Sequence, residues 1–192
     1  MQASTFHHAA RWGHQPGRDT VMKFHKQSTY PYPLDIVLKL FSDKDYFLEK
    51  YALTGAQHIT LLDYHCDKNT SRITVSRDVS LEIPLPHFAR KFLSDNVTLI
   101  QTDIWDLDNR TGRLDIKMKG SPAHVTCDMR LSEQSGQTLL DLDFDIEVNV
   151  PIVGQKIAAL MARDLDKKFV RDDEKGKTVM ARLASRHEAA KS

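Results

Sequence analysis

The run from Leu140 to Asn149 constrains this chain more than any other segment. Leu140, Leu142, Phe144, Ile146 and Val148 alternate without interruption with Asp141, Asp143, Asp145, Glu147 and Asn149. Successive side chains of a strand point to opposite faces, so this segment predicts a strand with one buried face and one wet face. The apolar face has to be covered. Pro151 closes the strand and suits the first turn of a helix. Val153, Ile157, Leu160, Met161 and Leu165 follow at the spacing of an amphipathic helix, the only element large enough to cover such a sheet.

The rest of the chain supplies the sheet. Residues 23–30 read as a strand, stopped by Pro31-Tyr32-Pro33. Leu34, Val37, Leu38 and Phe41 then fall at helical spacing. Ser42 is placed to cap a second helix over Lys44–Leu53, and Gly55 ends it. Further strands are predicted at 57–65, 71–83, 97–107, 112–119, 123–132 and 137–149, with a short helix inside 84–95. The connections at 67–69, 109–112, 120–122 and 135–136 are short, which makes neighbouring strands antiparallel. No βαβ alternation is present, so a doubly wound parallel sheet is excluded. The expected fold is α+β: a curved seven-stranded antiparallel sheet around a long C-terminal helix, with two short helices after the first strand.

Periodicity weakens after Phe169. We set one domain at 23–180, a tail at 1–22 and a second tail at 181–192. The first segment holds His7, His8 and His14 but no apolar pattern, and Met22 is a second candidate start. Metal sites need ligands held by a packed surrounding shell, so these histidines read as tail and not as a metal centre.

Composition removes several functions. Among 192 residues, Lys plus Arg number 27 and Asp plus Glu 26, a balance unlike that of a nucleic-acid-binding domain. No window approaches the roughly 20 apolar residues of a membrane-spanning helix, and the N-terminus lacks the apolar core of a secretory signal. Transient contact with a membrane surface stays open. Cys66 and Cys127 are too few for a disulfide framework and read as free thiols in the cytoplasm. No phosphate loop, nucleophile elbow, zinc signature or dinucleotide fingerprint occurs, so no cofactor, metal or catalytic residue is nominated. His58, His65, His87 and His124 lie on four separate segments without an evident partner.

Several stretches resemble an uncharacterised bacterial branch of the START-like (SRPBCC, helix-grip) superfamily. They are YPYPLDIVLKLFSDKDYFLEKYALTGA after the first strand, IPLPHFARKF after the third, TDIWDLD, KGSP, and NVPIVGQKI leading into the last helix. The superfamily includes lipid-transfer domains, the birch-pollen-allergen family and polyketide cyclases. The resemblance implies the helix-grip fold and a hydrophobic small-molecule ligand held between sheet and helix. It carries over no catalytic residue.

The expected lining of that space, or of the core beside it, is Val75, Val79, Leu99, Trp105, Ile116, Met118, Cys127, Met129, Phe144, Ile157, Leu160 and Met161. Two charged residues interrupt it. Arg77 shares the parity of Ile73, Val75, Val79 and Leu81, and Asp103 that of Val97, Leu99 and Trp105. Pairing Ile83 with Val97 would set Arg77 opposite Asp103. A buried guanidinium must be paired or wet. The two residues are therefore either a polar anchor for a ligand or a structural pair, with a bulge that turns Arg77 outward as the third option. As a base, Asp103 needs a raised pKa, which an adjacent Arg77 would oppose. Asp164 and Lys168 interrupt the stripe of the last helix, where departure of the helix from the sheet is expected in preference to a pair at a pocket mouth.

Binding of a lipid-like or aromatic molecule is thus the favoured function. The alternatives are an enzyme of the polyketide cyclase or hydrolase type using the same cavity, and a protein-interaction module without ligand.

Overall fold

The computed structural model describes residues 21–189, with side chains to residue 186. Strand β1 (Val21–Tyr30) is followed by helices α1 (Leu34–Phe41) and α2 (Lys44–Leu53). Six strands come next: β2 (Gln57–Cys66), β3 (Thr70–Ser80), β4 (Asn96–Asp106), β5 (Thr111–Met118), β6 (Ala123–Gln134) and β7 (Gln137–Val148). Helix α3 (Gly154–Ala189) completes the chain. The strands form one antiparallel sheet in the order β1-β7-β6-β5-β4-β3-β2. Each hairpin joins neighbours, and β1 closes the far edge by pairing with β7, Phe24 opposite Phe144. The β6–β7 turn needs two left-handed residues, and Ser135 (φ 53°) and Gly136 (φ 75°) supply them.

The concave face carries the core: Val75, Trp105, Val125, Cys127, Ile146 and Val148 are all buried. Helix α3 crosses this face against β1 and β7 and then packs on α1 and α2. Close approach to α2 requires Gly176, where a Cβ would come within 2.7 Å of the Tyr46 hydroxyl.

The structure departs from expectation at four places. Asp43, not Ser42, caps α2, accepting from the Asp45 N–H at 2.9 Å, while the Ser42 hydroxyl donates back to the Leu38 carbonyl. Strand β3 ends at Ser80, and 84–95 forms hydrogen-bonded turns over Pro86–Leu93 instead of a helix. Pro84 and Pro86 remove the donors that a longer strand would need. Helix α3 begins at Gly154, after a tight turn in which Val153 N–H bonds to the Pro151 carbonyl. It also runs on through Ala189, with Leu183 and Ala184 buried inside the segment read as a tail. The segment holding His7, His8 and His14 lies outside the described residues.

Candidate functional site

Between the sheet, α2 and α3 the molecule encloses a cavity of about 340 Å³. Its floor is the concave face of β4 to β7, including Leu99, Leu114, Ile116, Met118, Met129, Leu142 and Phe144. Trp105 fits there because Gly112 lies opposite it on β5, where a Cβ would come within 2.9 Å of the indole. Its other neighbour is Phe41, stacked at 5.5 Å between ring centroids. Helix α2 presents Tyr46, Phe47, Lys50 and Tyr51 to the same space, and α3 presents Leu165, Phe169 and a row of charged groups.

Of the residues expected around this space, Arg77, Val79, Leu99, Asp103, Trp105, Ile116, Met118, Met129 and Phe144 line it. Val75, Cys127, Ile157 and Met161 are packed in the core beside it, and Leu160 is half-buried against that core. Cys66 lies on edge strand β2, separated from Cys127 on β6 by three strands, and both thiols are free. Burial pushes the Cys127 thiol well above its ordinary pKa.

A polar chain crosses the cavity wall. Arg77, Gln101 and Asp103 are 8%, 6% and 7% exposed. Arg77 Nη2 donates to Gln101 Oε1 at 2.6 Å, and Gln101 Nε2 donates to Asp103 Oδ2 at 2.8 Å. The expected register is corrected here. Because β3 stops before the prolines, Val79 and not Ile83 pairs with Val97, so Arg77 lies opposite Leu99 and Asp103 opposite Ile73. The shift is even, which keeps both side chains on the concave face. It also opens a gap that Gln101 fills, so arginine and carboxylate are relayed and not in contact.

That spacing reverses the expected electrostatics of Asp103. Burial holds its carboxyl above the ordinary carboxylate range, outweighing Lys50, the Gln101 hydrogen bond and Arg77, which all pull the other way. Burial also lowers the ammonium pKa of Lys50, partly offset by Asp103. The Lys50 ammonium sits 5.2–5.4 Å from the ring centroids of Tyr46, Phe47 and Tyr51. The Arg77 guanidinium lies on the Tyr51 ring at 3.8 Å. Arg77 Nη1 and the Tyr51 hydroxyl are buried without a hydrogen-bond partner.

The rim is ion-paired. Asp164 accepts the Glu82 N–H at 2.6 Å and pairs with Lys168 at 2.7 Å, while Lys168 also reaches the Ser80 carbonyl at 2.7 Å. Arg171 is shared between Glu82 and Asp172. These contacts strap the segment after β3 to α3. The expectation that α3 leaves the sheet near Asp164 is thus replaced by the pocket-mouth pair, and the helix stays packed beyond it, with Val179 and Met180 fully buried.

Three of the four histidines do have partners, on the outside of the sheet: His58 with Asp78 at 2.8 Å, His65 with Asp67 at 3.0 Å and His124 with Asp115 at 2.8 Å. None of the three lines the cavity. Among the described residues no group of three His, Cys, Asp or Glu could hold a metal, and no helix is long and apolar enough to cross a membrane. Sequence reasoning missed Lys50, Tyr46, Phe47 and Tyr51. Their spacing along α2, two adjacent pairs one turn apart, is the signal that could have found them.

The profile of a family described as a protein of unknown function (DUF2505) matches residues 25–179. None of the curated proteins matches the chain. Among solved structures, the crystal structure of TTHA0849 from Thermus thermophilus has a TM-score of 0.57 at 14% identity, over 85% of this chain and 98% of that one. The crystal structure of Ara h 8.0201 has a TM-score of 0.58 at 11% identity, over 84% of this chain and 98% of that one. At such identities the likeness is one of fold, the START-like helix grip. The profile match extends from β1 into the second half of α3, and the chain accordingly belongs to the DUF2505 family of proteins of unknown function.

Proposed function

We propose that this protein binds a hydrophobic small molecule, lipid-like or aromatic, between its sheet and α3. The cavity carries this reading. Its volume of about 340 Å³ falls in the roughly 300–1,000 Å³ range of small-molecule sites, and its apolar floor with a few convergent polar groups is their usual make-up. Val79, Leu99, Trp105, Ile116, Met118, Met129 and Phe144 supply apolar contact, while Arg77 and Asp103 orient the ligand. Val75, Cys127, Ile157, Leu160 and Met161 support these walls from behind. We place the activity in the cytoplasm, where a reducing medium keeps both thiols unbridged.

Native mass spectrometry of the purified protein, followed by organic extraction, tests the proposal. The expected result is a bound apolar molecule released on denaturation. Protein that is ligand-free as purified and also fails to take up Nile red would refute it.

One observation favours a second reading, catalysis of the cyclase or hydrolase type. Asp103 is a buried carboxyl facing a cavity, and burial raises its pKa, the kind of environment found around general acids and bases. Turnover of an aromatic polyketide or an ester by the wild type, abolished in Asp103→Asn, would establish it.

A further inference from the structure

We infer that the ligand of this cavity carries a single carboxylate, seated between Arg77, Tyr51 and Lys50, with its apolar part lying over β5 to β7. This inference rests on the binding reading above and specifies its chemistry.

Several buried polar groups lack the partners that burial demands. The described residues include three buried side-chain polar atoms without a hydrogen-bond partner, and two of them, Arg77 Nη1 and the Tyr51 hydroxyl, belong to residues that line the cavity. Both residues are more than nine-tenths buried. Leaving such donors unmet is costly, and far more so for a charged one. Lys50, on the helical turn that carries Tyr51, makes only aromatic contacts and no ion pair among the described residues. A guanidinium and an ammonium can only donate, and a phenol can donate. The ligand must therefore bring acceptor atoms.

Charge limits how many. At the rim Lys168 is matched by Asp164 and Asp173 by Lys177, while Arg171 faces both Glu82 and Asp172, which leaves one carboxylate in excess there. The interior keeps Lys50 and Arg77 against Asp103, and Gln101 holds Asp103 away from the guanidinium. Two cations against one carboxyl leave one positive charge in the inner group, so a monoanion is the most it can neutralise. A carboxylate supplies that charge with two oxygens in a plane, matching the guanidinium fork. A phosphate dianion would exceed it. The placement also suits an amphipathic acid, since the donors lie on the α2–β3 side and the apolar floor extends away from them along β5, β6 and β7.

The test compares acids with their neutral counterparts: decanoate with 1-decanol, and 1-naphthoate with 1-naphthalenemethanol. Binding is followed by calorimetry and by displacement of Nile red. At least one acid should bind about tenfold to a hundredfold more tightly than its alcohol, the range for a hydrogen-bonded charged group. Arg77→Met should abolish that preference, bringing the affinity for the acid down to that for the alcohol. Lys50→Met, on a surface helix and checked by circular dichroism, should reduce it and serves as the second variant if Arg77→Met does not fold. Equal affinities for acid and alcohol would overturn the carboxylate inference while the binding reading stands. No binding of any of the four compounds would overturn it as well, and failure of protein that is ligand-free as purified to take up Nile red would overturn both readings.

Discussion

The close packing of α3 on α2 turns on one glycine, and the consequence is measurable. In an open helix interior, glycine to alanine gains about 0.8–1.0 kcal/mol. At Gly176 the added Cβ would sit 2.7 Å from the Tyr46 hydroxyl and 3.4 Å from Lys50 Cδ. Tyr46 has little room to retreat, since it is 3% exposed and its ring packs at 5.3 Å on both Phe41 and Phe47. Overpacking of this kind costs roughly 1–3 kcal/mol. Gly176→Ala should therefore lie between neutral and about 2 kcal/mol destabilising, despite the better helix former. Tyr46→Phe removes the clashing oxygen and leaves ordinary contact distances. In that background the same alanine should recover its stabilising sign. Urea unfolding of the four proteins of the cycle should give a coupling energy of about 1–3 kcal/mol with unchanged slopes. A coupling within about 0.5 kcal/mol of zero would refute the reasoning, because independent sites add to that accuracy.

Further consequences can be checked with the same preparations. Leu142→Asp puts a carboxylate on the buried concave face and should abolish cooperative unfolding; a melt near wild type would contradict the assigned face. Lys168→Met leaves Asp164, 4% exposed, without its cation, and should destabilise by about 3 kcal/mol in denaturant titration. Asp103 has a folded pKa raised above its unfolded value, so the native state binds the extra proton and wild-type stability falls as pH rises from the unfolded towards the folded pKa. Asp103→Asn should accordingly be more stable than wild type at pH 7, the difference vanishing below about pH 4; a difference constant with pH would exclude the titration. Cys66 is exposed and should react at once with a thiol reagent, whereas Cys127 should react only after unfolding; two prompt thiols would show that the β6 wall opens.

How much of this could be read from the chain depends on which signal survives folding. Strand faces did, because period-two alternation is unchanged by any even slip in register, and Arg77 and Asp103 stayed on the concave side although β3 slid from an Ile83 to a Val79 pairing. Their spacing did not. It depends on where β3 ends, and that is decided by Pro84 and Pro86 together with the Leu81 N–H bond to the Asp95 carbonyl. The role of Gln101 follows from that end point and was invisible before it. Helix α2 hid its contribution for another reason: it buries Tyr46, Phe47 and Tyr51 on one side, but Lys50 sits among them, which blurs any apolar stripe.

The interruptions themselves carry the functional argument. Sequence patterns that specify a fold are locally consistent, and departures that cost stability are retained where a site needs them. Arg77, Gln101 and Asp103 interrupt the concave faces of β3 and β4, and Asp164 and Lys168 interrupt the stripe of α3. These are separate segments, with no reason in local structure to break pattern at related places. In the folded chain all five line one cavity. A domain that needed only a core would fill that space with leucine and spare the desolvation of two cations and two carboxyls. The rim pair earns its place by strapping residues 80–82 to α3. No comparable structural task falls to the inner group, whose arginine and tyrosine end in unmet donors. That asymmetry favours the proposed binding cavity over imperfect packing, and on that proposal removing Arg77 should change what the protein binds more than how well it folds.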